Sequence, residues 1–210
     1  MIKHVVAIAV ALLVALSVNC VWASDTETIT ALANVGTVNP TFSISIIKSL
    51  SATTYDWANP KPPSAGMNFG TLTNAVASDP TSALAAGHHF MVLVGVITNT
   101  GASYAVKYTG APLAKSDNPT ITLPGDAWTV SADQHYSPDT VYPAGISTGV
   151  RSAEDTYVVY NSNASGTSDT IRLYFGITGD PAQAAGTNLI PPTQLAGDYY
   201  GTVKLDVYAL

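Results

Sequence analysis

The chain has 210 residues, 47% of them hydrophobic and only 10% charged, with 8 Lys plus Arg against 14 Asp plus Glu and a formal net charge of −6. The high, patterned apolar content excludes intrinsic disorder. An acidic balance without a Lys/Arg cluster argues against nucleic acid and against docking on anionic lipid.

Residues 1–23 read as a secretory signal peptide. Lys3 and His4 form a short polar start, Val5 to Val18 is an uncharged apolar run, and Val21-Trp22-Ala23 fits the small-residue rule of a signal-peptidase site. The apolar run is 14 residues, shorter than the roughly 20 of an ordinary membrane span. No stable membrane insertion is therefore expected after cleavage. Asn19 stands where an acylated Cys20 would want a small residue, which argues against lipidation. Cleavage after Ala23 would leave 187 residues, with seven Lys plus Arg against fourteen Asp plus Glu and a charge of −7. The only Cys would leave with the signal. Stability must then come from core packing, sheet hydrogen bonds or assembly rather than disulfides.

Thr26 to Ala33 has the β-rich, low-charge composition of a first strand or an extended arm, and Gly36 and Asn39-Pro40 punctuate it. Thr41 to Lys48 alternates Phe42, Ile44 and Ile46 against Ser43 and Ser45, the two-residue period of a half-buried strand. Ser51 to Gly66 carries Asn59-Pro60-Lys61-Pro62-Pro63 and reads as an extended loop. Met67 to Thr73 is expected as a short strand, and Thr81 to Ala86 as one helical turn. Phe90 to Ile97 is an unbroken apolar run of eight, which suits a strand buried on both faces. With the turn Asn99-Thr100-Gly101 and the returning Ser103 to Thr109, it is expected to form a β-hairpin.

Short strands are expected at Thr120 to Leu123, Ala127 to Ser131 and Thr156 to Tyr160. Gln134 to Val150 and Gly179 to Ala196 read as loops. Thr170 to Thr178 should place Ile171, Leu173, Phe175 and Ile177 inward and Arg172 and Tyr174 outward. In Gly197 to Leu210, Tyr199, Val203, Leu205, Val207 and Ala209 alternate with Tyr200, Thr202, Lys204, Asp206 and Tyr208, the pattern of a closing strand. Eight to ten strands with almost no helical period predict an all-β fold, a single immunoglobulin-like or jelly-roll β-sandwich. The division is a signal peptide over 1–23, an N-terminal strand or arm over 24–40, and the sandwich over 41–210.

No catalytic, cofactor-binding or metal site is expected. Gly145-Ile146-Ser147-Thr148-Gly149 matches the Gly-x-Ser-x-Gly of serine hydrolases. That motif needs a strand-to-helix turn and a later His; no helical pattern follows, and no His comes after His135. His88 and His89 are adjacent, so on a strand they point to opposite sides and share no metal readily. Asp133, Asp139, Asp155 and Asp180 lie in loop-like stretches without the EF-hand spacing of a calcium loop. Glu27 and Glu154 are the only Glu residues, and neither is flanked by the aromatics of a sugar cleft. Trp57, Trp128, Tyr55, Tyr136 and Tyr142 could line a carbohydrate platform, although loop aromatics of a sandwich more often serve packing. Asn163-Ala164-Ser165 is a glycosylation-type sequon in a polar turn.

Three stretches taken together resemble a known layout. They are the early strand Thr41 to Lys48, the segment Met67-Asn68-Phe69-Gly70-Thr71-Leu72, and Ala196-Gly197-Asp198-Tyr199 leading into the alternating last strand. This is similar to the secreted β-sandwich subunits of the spore coat protein U group and related pilin-like proteins, where an "FG" strand and a closing "aGxY" strand recur. Spore coat U-type subunits usually carry disulfide cysteines, which the mature chain would lack; cysteine-free, filament-forming exported sandwiches of bacteria and archaea share the same outline. The resemblance implies a non-enzymatic subunit, polymerising with copies of itself as each donates its N-terminal strand to a groove in the next.

A donated strand gives main-chain hydrogen bonds to an open edge while alternate side chains fill the groove. Asp25 to Val38 is the candidate donor, with Ile29, Ala31, Ala33 and Val35 at two-residue spacing. The same segment could equally pair within its own domain, since a strand pattern does not choose between the two. Gly197 to Leu210 is one strand that could border the groove, with Tyr200 and Tyr208 as contact residues. The expected function is a structural subunit of an extracellular filament or surface layer. The alternative is a secreted carbohydrate- or surface-binding module.

Overall fold

The computed structural model describes residues 25–28, 41–51, 54–97, 103–132, 144–162 and 169–210. Among these, helix is limited to one 3-10 turn at Pro63–Ala65. The strands in chain order are β1 (Asp25–Thr28), β2 (Thr41–Lys48), β3 (Thr73–Asn74), β4 (Leu84–Ala85), β5 (Phe90–Ile97), β6 (Tyr104–Gly110), β7 (Ala114–Lys115) and β8 (Asn118–Thr122), then β9 (Trp128–Ser131), β10 (Arg151–Ser152), β11 (Thr156–Asn161), β12 (Asp169–Ile177), β13 (Tyr199–Tyr200) and β14 (Val203–Ala209). They outnumber the eight to ten expected because several are two-residue pairings, too short to show a period.

Two antiparallel sheets build the sandwich. One has the order β1-β14-β6-β11 and the other β10-β9-β12-β5-β2; β13-β7-β8 and β3-β4 form small additional sheets. The inner faces meet in one core. Val203, Leu205 and Val207 of β14 and Tyr104, Val106 and Tyr108 of β6 share a cluster with Val92 and Val94 of β5 and Ile171, Leu173 and Phe175 of β12. The rings of Tyr108 and Phe175 bridge the sheets at 6.1 Å. Tyr108 also donates its hydroxyl to the Ala153 carbonyl at 2.7 Å, and burial pushes its ionisation well above the ordinary tyrosine value. The alternation read in β2 and β12 holds, with Phe42, Ile46, Ile171, Leu173, Phe175 and Ile177 all in the core. Each such side chain contributes about 1.5–3 kcal/mol by leaving water.

The outer face of the β5 sheet carries a smaller cluster of Ile47, Tyr55, Met91 and Tyr174. The loop after β2 folds back over it, and Tyr55 packs on Tyr174 at 5.8 Å. Tyr174, expected to point outward, does so but is covered.

Four expectations are corrected. The apolar run Phe90–Ile97 is not half of a hairpin: β5 lies between β2 and β12, whereas β6 lies between β14 and β11. The chain crosses from one sheet to the other, because each strand's apolar inner face completes the same core from opposite sides. Met67 to Leu72 is not a strand. Gly66 and Gly70 hold left-handed φ angles of 65° and 73°, and Asn68 Oδ1 accepts the Gly70 N–H, which curls the chain and tucks Phe69 edge-on to Phe90 at 5.1 Å. The expected helical turn near Thr81 is a polar turn followed by β4. Asp79 accepts from both the N–H and the hydroxyl of Thr81, while Leu84 donates to Ile190 O and Ala86 to Ile177 O. Finally, Gly197 to Leu210 is two strands: β13 pairs with β7, and β14 pairs with β6. At Gly201 a side chain would meet the Pro112 and Ala111 carbonyls at 2.9 and 3.0 Å, so only glycine permits the crossing.

Candidate functional site

The feature best placed to meet another chain is the β14 edge. All seven residues of β14, Val203 to Ala209, pair with β6 on one side. On the other side, among the described residues, Lys204 to Val207 are paired, with Thr28 to Asp25 of β1. The candidate donor segment thus begins on β14 of its own chain. Ile29, Ala31, Ala33 and Val35 lie outside the described residues.

Other sheet margins are capped from within the chain. On β11, Ile146 bridges Tyr160 and Ser147 N–H donates to Val159 O at 2.8 Å. On β2, Ile46 and Lys61 exchange two hydrogen bonds of 2.8 Å. Among the described residues, no strand pairs with the outer side of β1. An edge of this kind presents free N–H and C=O groups to any extended segment.

Tyr208 extends β14 beyond β1 and is partly buried, paired with Ala105. Tyr200 is 66% exposed but sits on β13 in the small sheet, opposite Ala114. The structure places the two candidate contacts on different sheets, because the chain breaks at Gly201. On the outer face of β14, Lys204 Nζ lies 3.5 Å from Asp206 Oδ2.

The remaining sequence candidates separate. Ser147 follows Gly145, whose φ is 94°, and its hydroxyl accepts from Arg151 Nη2 at 3.3 Å. It lies in a strand-capping loop rather than at a strand-to-helix turn. His88 Nε2 lies 2.9 Å from Asn68 O, while the His89 ring packs edge-on to Tyr55, so the pair does diverge. Asp180 Oδ1 accepts the Ala182 N–H, a turn bond. Asp133, Asp139, Tyr136, Tyr142, His135 and Asn163 lie outside the described residues. Trp128 and Tyr55 are buried, at 2% and 3% exposure, and offer no ring face to a sugar. Trp57 is half exposed, with the Arg172 guanidinium 5.4 Å from its ring centre. No helix among the described residues is long and apolar enough to cross a membrane, and no group of three or more His, Cys, Asp or Glu there is placed to hold a metal ion.

Sequence reading missed one ionisable pair. Asp126 Oδ2 accepts the Asn188 N–H at 2.9 Å, and Glu154 lies so close to Gly125 that a side chain there would meet its carboxylate at 2.8 Å. Burial raises the Glu154 pKa above the ordinary 4.5, and the charges of Asp126 and Asp155 add to the shift. One of its oxygens is buried with no hydrogen-bond partner among the described residues. A carboxyl whose folded pKa is raised favours folding while protonated, and that advantage is lost as pH climbs from the unfolded value through the folded one. Glu154→Gln should therefore raise the melting temperature at pH 7 and leave it unchanged at pH 4, as read by thermal melts. A drop at pH 7 would contradict this assignment.

The chain matches no protein-family model, and no curated protein matches it significantly.

Proposed function

We propose that this protein is a non-enzymatic structural subunit of an extracellular, pilus-like filament or cell-surface layer, assembled by β-strand donation between copies of itself. The observation that supports the reading is the pairing of Asp25–Thr28 with the side of β14 that faces away from β6. Asp25–Thr28 meets the sandwich at a sheet edge, through four backbone pairings. A segment held so can leave and be replaced by the same segment of a neighbour at similar backbone cost. Each subunit then gives one arm and receives one, head to tail, and such contacts propagate without closing. The signal-like residues 1–23 suit export before assembly, and the low charge of the chain suits close packing of repeated subunits.

Negative-stain microscopy of the native secreted material should show filaments of regular subunit spacing. Monodisperse particles under every condition of concentration and salt would contradict the reading.

A further inference from the structure

We infer that the outer face of the β5 sheet, beside Trp57, is a binding shelf for an uncharged pyranose chain. The inference stands apart from strand donation, because β1 and β14 belong to the other sheet.

The shelf begins where the loop after β2 stops. Side chains alternate along a strand, so the outer cluster of Ile47, Met91 and Tyr174 fixes which positions of this sheet face outward. The same parity gives two further rows across β2, β5 and β12. Ser45 stands opposite Leu93, and Leu93 opposite Arg172; Ser43 stands opposite Gly95, and Gly95 opposite Thr170. The loop covers the first row with Tyr55, which packs on Tyr174. Its next ring, Trp57, meets the Arg172 guanidinium at 5.4 Å and stands at the border of the rows beyond. None of the residues in those two rows is buried, and Ser43 and Thr170 are exposed. Gly95 carries no side chain, and a Cβ there would stand 3.0 Å from Ser43 Oγ. The floor is therefore shallow and bears hydroxyls, with an indole at its margin.

The indole is held in place before any ligand arrives. Asp56 N–H donates to Lys48 O at 2.9 Å, Trp57 N–H to Tyr55 O at 3.0 Å and Asn59 N–H to Asp56 O at 3.2 Å, while Asn59 Nδ2 donates to both Asp56 carboxylate oxygens. Such preorganisation lowers the ordering cost of binding. One ring face is turned to the guanidinium, yet Trp57 is 50% exposed, so the exposed half belongs to the other face and the rim.

The chemistry of the shelf selects its ligand. A wholly apolar partner laid across it would leave the hydroxyls of Ser43, Ser45 and Thr170 without hydrogen bonds. A nucleic-acid base also stacks on an indole, but its phosphates would meet a chain of net charge −6. A pyranose suits both parts. Its C–H face packs on the indole as apolar surface, and its hydroxyls exchange hydrogen bonds with Ser and Thr hydroxyls, which both donate and accept. Arg172 is the one charged residue of the two rows, and its guanidinium is turned to the indole, which favours an uncharged sugar.

Cellohexaose, chitohexaose and mannohexaose, added to the native protein, test this. At least one should shift the tryptophan emission to the blue as Trp57 leaves water; Trp128, 2% exposed, is already buried. Trp57→Ala should weaken retention on the matching polysaccharide at least about tenfold. Ser43→Arg, at an exposed position, should fill the floor and weaken retention while Trp57 is still in place. No response to any of the three sugars, or unaltered retention of either variant, would overturn the inference.

Discussion

Gly110→Ala is expected to destabilise the fold by about 3–5 kcal/mol, combining the overpacking cost with the loss of buried hydrogen bonds. Gly110 ends β6 where the turn after β10 passes over it. A Cβ there would run into the Ala153 carbonyl oxygen, and the contacting atom is backbone, so it cannot swing aside as a side chain would. Two bonds hold the crossing together: Gly110 N–H donates to Asp155 O at 3.0 Å, and the Tyr108 hydroxyl donates to the same Ala153 carbonyl. Relieving the overlap means pulling β6 away from residues 153–155 and weakening both. Because native domains hold only about 5–15 kcal/mol in total, a urea melt should show a large fall in midpoint with little change in slope. A loss below about 1 kcal/mol would mean that the crossing is looser than described.

The same crossing shows which features were legible beforehand. β2 and β5 coincide with the segments read from sequence, Thr41–Lys48 and Phe90–Ile97. One has a clean two-residue alternation and the other an apolar run bounded by polar turns, and both are local signals. What each strand pairs with is not local. Asn99-Thr100-Gly101 reads as hairpin turn chemistry, yet β5 and β6 lie in different sheets, because a short polar connection serves an in-plane return and a crossover alike. The close approach at Gly110 was hidden for a related reason: it depends on a turn more than forty residues later in the chain.

The candidate site was half legible. The alternation of Val203 to Ala209 marked an edge-capable strand, and the spacing of Ile29 to Val35 marked a segment able to pair. The placement of Asp25 to Thr28 on β14 was not readable, since sheet register is set by pairing rather than by composition. Nor was the separation of Tyr200 from Tyr208, which follows from the backbone-only clearance at Gly201. The Asp126–Glu154 pair joins residues from separate turns and leaves no motif in the sequence.

The second large effect concerns assembly. Removing Asp25 to Val38 takes away β1 and the apolar residues that follow it, and leaves every strand of the core in place. The sandwich should still fold, because Leu205 and Val207 remain packed against Val106 and Tyr108 of β6. Its β14 edge would then be open, with no arm to offer a neighbour. Such a chain accepts a strand and donates none, so it terminates a filament.

Electron microscopy of this arm-deleted protein, beside the full chain and with a synthetic Asp25–Val38 peptide added, tests strand donation most directly. The expected result is no filament from the deleted chain, peptide binding at one per subunit, and shortened filaments when the deleted chain is mixed with the full one. Filaments of unchanged subunit spacing from the arm-deleted chain alone would contradict it.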